Sequence, residues 1–152
     1  MRPLIDEARY MQVALSEAEK ALHEGEVPVG ACVVMNGDVI SSAHNRMEAE
    51  SDPTAHAEIV AIRAAAKSLG SWRLTGCTLY VSLEPCAMCA GALVHARIDR
   101  IVYAAADAKA GACGSILDIP RDFRLNHFVE VKGGIMEDEA SSILRGFFSI
   151  KR

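Results

Sequence analysis

Pro85-Cys86-Ala87-Met88-Cys89 follows directly on the β-prone run Thr78–Leu83, and this succession restricts the fold more than any other stretch of the chain. A proline early in a helix is tolerated, because its missing N–H would have no intrahelical partner. The segment therefore predicts a helix over Cys86–Ala96 that opens where the strand ends. Cys86 and Cys89 then share one face of its first turn. The free N–H groups and positive end of that helix favour thiolates, the form that binds metal. Two chemistries use such a pair, thioredoxin-like redox exchange and half of a zinc site.

His56-Ala57-Glu58 decides between them. Twenty-nine residues separate His56 from Cys86, room for a helix and a strand that return to the same end of a sheet. One imidazole and two thiolates leave the fourth tetrahedral position of zinc open, the pattern of a catalytic site rather than a closed structural one. Glu58 is then a carboxylate beside the metal, free to move protons between a bound water and a leaving amine. A redox pair has no use for either residue. On a regular helix His56 and Glu58 point about 200° apart, so both face one metal only if His56 projects off the opening turn. The helix is therefore expected from Ala55 to Leu69, although Asp52-Pro53 resembles a cap and first position.

Around this centre the chain reads as α/β. Leu4, Ala8, Met11, Leu15, Ala18 and Leu22 form one apolar helical stripe, stopped by Gly25. Gly30–Met35 and Asp38–Ser42 flank Asn36-Gly37, a strong hairpin signal. Gly70 closes the His56 helix. Arg100–Ala104 is a second buried-type strand, Phe128–Lys132 a further one, and Asp138 to about Ile150 the closing helix. No linker, repeat or low-complexity tract interrupts residues 1–152, which gives one domain with a sheet of about five strands and helices on both faces.

Composition excludes several classes. The chain is 51% hydrophobic and 24% charged, which rules out disorder. No apolar run approaches the ~18 residues that span a bilayer, and the N-terminus lacks a secretory core; a soluble, cytoplasmic protein is expected. A net charge of −4 argues against a general nucleic-acid coat. The charge is uneven: residues 1–60 carry four basic and eleven acidic groups, residues 61–152 twelve and nine. A phosphate-facing surface would come mainly from the second part. Cys32, Cys77 and Cys113 read as small buried hydrophobes.

His56-Ala57-Glu58 with Pro85-Cys86-x-x-Cys89 resembles the H-x-E…P-C-x-x-C signature of the zinc-dependent nucleobase deaminases. Over nearly its whole length the chain further resembles the bacterial tRNA-specific adenosine deaminases. EVPVGA at Glu26–Ala31, HNR at His44–Arg46 and DPTAHAE at Asp52–Glu58 carry that likeness. It continues through LEPCAMCAGAL at Leu83–Leu93, ARIDRIVYAAADAKAGACGS at Ala96–Ser115 and LNH at Leu125–His127. DPTAHAE is shared with guanine deaminases, whereas DAKAGACGS and the closing RGFFSIKR are more specific to the tRNA enzymes. Departures are mild: Ala87 where Val or Pro is frequent, and Ala104 where Gly is.

The resemblance implies a three-layer α/β/α cytidine-deaminase-like fold and a hydrolytic deaminase acting on the wobble adenosine of a tRNA anticodon loop. One zinc ion per subunit would be held by His56, Cys86 and Cys89. Zinc-activated hydroxide would attack C6 of adenine, with Glu58 protonating N1 and then the departing ammonia. Asn45 matches the residue that reads the purine ring; Arg46, Asp107, Lys109, Phe148 and Arg152 match or adjoin positions that contact the RNA. The family is homodimeric, with RNA touching both subunits. Two rivals remain open: a guanine or small-nucleobase deaminase with the same chemistry, and a zinc-stabilised RNA-binding module without catalysis. The loop after Arg100–Ala104 speaks against the first, and the three-ligand set against the second.

Overall fold

The computed structural model describes residues 6–151. Helix α1 (Glu7–His23) precedes the hairpin β1 (Gly30–Met35) and β2 (Asp38–His44). A short helix α2 (Met47–Glu50) leads to α3 (Ala57–Leu69), β3 (Cys77–Leu83) and α4 (Ala87–His95). Strands β4 (Arg100–Ala105) and β5 (Glu130–Lys132) and helix α5 (Glu137–Lys151) complete the chain. The sheet order is β2-β1-β3-β4-β5. β1 runs antiparallel to β2 and β3, whereas β3, β4 and β5 are parallel.

Alternation along the strands divides the core into two layers. Ala31, Val33, Leu79, Val81 and Ile101 join Ala57, Ala61, Ala65, Ala90 and Leu93 from α3 and α4. Cys32, Val34, Tyr80, Val102 and Ala104 join Met11, Ala14 and Leu15 of α1 and Ala140 of α5. The expected three-layer α/β/α arrangement is therefore present. Asn36 and Gly37 both take positive φ, 52° and 80°, as a two-residue hairpin turn requires.

Most boundaries shift by one or two residues, and three departures from expectation have a visible cause. Helix α3 opens at Ala57, not Ala55, because the Asp52 carboxylate accepts from Thr54 N–H and Oγ1 in a local turn. The cap instead comes from Asn45, whose Oδ1 accepts the Ala57 N–H at 2.8 Å. Strand β5 loses Phe128 and Val129: Val129 N–H donates to Pro120 and His127 Nε2 to Ile98, which carries that backbone away from β4. Phe128 stands 63% exposed. Helix α2 was not anticipated; the buried Glu26 caps it, accepting from the N–H groups of Glu48 and Ala49. Leu4 lies outside the described residues. Among those residues no helix is long and apolar enough to cross a membrane.

Candidate metal centre and its cavity

Two helix N-termini converge at the C-terminal end of β3. His56 occupies the cap position of α3 with extended backbone (φ −69°, ψ 154°), so its ring projects off the helix end. Cys86 holds the equivalent position on α4 (φ −75°, ψ 176°), with Cys89 one turn further in. Neither helix has a side-chain cap from these residues; their side chains are left for the centre. His56 Nδ1 lies 3.6 Å from Cys86 Sγ and 3.4 Å from Cys89 Sγ. The three donor atoms all fall within 4.8 Å of one another.

The donor chemistry fits zinc. Hydrogen bonds from Cys89 and His56 pull the Cys86 thiol well below its ordinary value, toward the thiolate that binds metal. The same sharing, with burial, pushes Cys89 up, and the hydrogen bond with Cys86 raises His56. One imidazole nitrogen and two sulfurs leave one tetrahedral position for a water or substrate.

Glu58, in the first turn of α3, is 4% exposed. Burial pushes its carboxyl up to about 7, against the opposing pull of His56. A carboxyl so placed can hold and release a proton near neutrality. The difficulty of bringing His56 and Glu58 to one centre is thus resolved by the cap position of His56.

These residues border a cavity of about 180 Å³. Val27, Val29, Met47 and Leu83 supply apolar walls, and Asn45, Glu58, Asp107 and Cys86 the polar groups. Asn45 is 4% exposed; with its Oδ1 committed to Ala57, its amide NH₂ is the group free for a ligand. Asp107 opens the loop after β4, its Oδ1 accepting from the N–H groups of Lys109 and Ala110. Arg46, Lys109 and Phe148 do not line the cavity. Arg46 pairs with Glu50 at 2.8 Å and approaches Glu24 at 3.7 Å. Lys109 is exposed on the loop, and Phe148 packs edge-on against the buried Phe147. Arg152 lies outside the described residues.

Two buried carboxylates escaped sequence reasoning. Glu26 and Glu84 are each 2% exposed, and each spends its carboxylate on backbone N–H groups beside the cavity. Their partners lie more than twenty residues away, so no local pattern announces them.

The family model for the cytidine and deoxycytidylate deaminase zinc-binding region matches residues 5–105. The chain is 48% identical over 139 residues to the tRNA-specific adenosine deaminase of Bacillus subtilis, covering 91% of this chain and 86% of that one. A structure from a study of A-to-I editing by wobble-position tRNA deaminases superimposes with a TM-score of 0.87 at 45% identity, over 90% of this chain and 99% of that one. The guanine deaminase of Nitrosomonas europaea gives a TM-score of 0.81 at 26% identity, covering 97% of this chain and 87% of that chain.

Proposed function

Since the chain belongs to the zinc-binding cytidine and deoxycytidylate deaminase family, and within it to the bacterial tRNA-specific adenosine deaminases, we propose that it converts adenosine to inosine at the wobble position of a tRNA anticodon loop. The observation that carries this reading is the buried Glu58 carboxyl beside three zinc donors, in a cavity that takes one base rather than a length of strand. His56, Cys86 and Cys89 would hold the ion. Zinc, when bound, supplies the Lewis acidity that makes a water nucleophilic near neutral pH.

The chain's own residues do the rest. Val27, Val29 and Leu83 exclude bulk water and face the planes of a purine. The NH₂ of Asn45 donates to a ring acceptor and fixes the base with C6 toward the centre. Glu58 takes a proton from the attacking water and delivers it to N1; it then carries the second proton, from the new C6 hydroxyl, to the amine, which leaves as ammonia while C6 becomes a carbonyl. Water is consumed and ammonia released; no redox partner is needed. A base must be splayed out of its strand to reach this depth, which single-stranded loops permit.

Asp107 and Lys109 at the loop, Arg46, Phe148 and Arg152 form the wider RNA contact in this reading. Met88, Ile116, Leu117, Phe123 and Leu125 are exposed apolar groups, Phe123 at 90%, which supports a homodimer that covers them. The cytoplasm, where tRNA is matured, is the proposed location.

The test is an adenosine-to-inosine assay on an anticodon stem-loop with a wobble adenosine, run beside free adenosine, guanine and cytidine. Conversion of the stem-loop alone is expected. Turnover of a free base with an untouched stem-loop would move the chain to the small-molecule deaminases, and zinc binding without any turnover would make it a binding module.

A further inference from the structure

The segment from Asp107 to Ser115 supplies one wall of the cavity yet has almost no regular structure of its own. One side chain ties its two ends together. Glu84 Oε1 accepts the Asp107 N–H at 3.0 Å, and Oε2 accepts the N–H groups of Cys113 at 2.9 Å and Ser115 at 3.1 Å. The Ser115 hydroxyl donates to Oε1 as well. A Cβ at Gly111 would overlap the Glu84 carboxyl, which lets the loop close directly over it. Glu84 also sits two residues before Cys86, and its own N–H donates to Ala105 at the end of β4. Ala112 N–H reaches Pro85, and Gly111 bridges Cys86.

We propose that Glu84 is a positioning residue for the substrate: its carboxylate locks the 107–115 loop to the segment that carries Cys86, so that Asp107 and Ala110 stand at a fixed distance from the metal centre. The proposal rests on the deaminase reading for its substrate but not for its geometry. Two buried oxygens that accept from converging donors form a rigid tie, since each donor left without them would be a desolvated orphan. Glu84→Gln keeps the shape but loses the charge, and turns one acceptor into an NH₂ facing N–H donors.

Two readouts test it. With zinc-loaded protein, Glu84→Gln should retain full zinc content, raise KM for the stem-loop ~10-fold and change kcat less than ~3-fold. Ser115→Ala, which removes one donor and leaves the fold intact, should show the same split at ~3-fold in KM. Hydrogen exchange on the RNA-free protein should quicken in peptides covering 106–116 and stay unchanged in α3 and α4. A fall in kcat at constant KM, or unaltered loop exchange in Glu84→Gln, would overturn the proposal. Faster loop exchange combined with an inert stem-loop in the wild type would count against the substrate reading alone.

Discussion

In the proposed function Glu58 moves protons and Asn45 both caps a helix and meets the base, and substitutions can separate these tasks. Glu58→Gln should keep zinc and lose turnover by ~10²–10⁴-fold, the usual contribution of a positioned acid/base; metal analysis with a single-turnover assay checks both halves. His56→Ala should lose the metal itself, because two sulfurs alone do not define the centre. Asn45 caps α3 through Oδ1; in the proposed function its NH₂ is the group that meets the base. Asn45→Asp keeps the acceptor at a helix N-terminus, so its melting temperature should stay near wild type while KM for RNA rises. Asn45→Ala should additionally cost ~1 kcal/mol of stability. The metal trio was legible in the sequence because ligand types and spacing are one-dimensional facts: His56, Cys86 and Cys89 announce themselves. The dual use of Asn45 was only half legible, since the N–H it caps lies twelve residues on.

At the scale of elements, the contact of α1 with the sheet depends on the absence of a side chain at Gly30. A Cβ there would enter the α1 backbone at the Ala14 carbonyl and Ala18 N–H. Gly30→Ala should therefore lower stability by at least ~2 kcal/mol, the cost of overpacking with no flexible atom to yield; urea denaturation measures it. The elements themselves were mostly readable: apolar periodicity located α1, and Asn36-Gly37 the hairpin. What escaped were features set by distant partners. Helix α2 exists because Glu26 reaches it from another segment. Phe128 suits a strand by pattern, yet only Glu130–Lys132 pair with β4, because the preceding backbone is spoken for by Pro120. Side-chain ties across more than twenty residues leave no mark on a sequence window.

For the whole molecule, α1 is fastened to the sheet by an ionic knot at the end opposite the metal centre. Arg100 makes paired bonds of 2.8 and 2.7 Å to Glu7, Tyr80 donates to it at 2.7 Å, and Lys132 stands at 3.5 Å. The Arg100 bond, against burial and aided by Tyr80, holds the Glu7 carboxyl at about 2 instead of 4.5. The stabilisation is present above pH 4.5 and is lost as pH falls through about 2; only below both values do folded and unfolded states bind the proton alike. Glu7→Gln should lie below wild type by up to ~3 kcal/mol at pH 7 and converge with it toward pH 2; thermal melts across that range test this. The division of the core into two layers has an evolutionary reading. The metal cradle rests on α3 and α4, on one face of the sheet, while α1 and α5 cover the other. Replacements among Cys32, Val34, Val102 and Ala104 can therefore accumulate without touching the chemistry. A lineage can retune its stability, or trade one nucleobase for another through the loops, while the cradle is inherited unchanged.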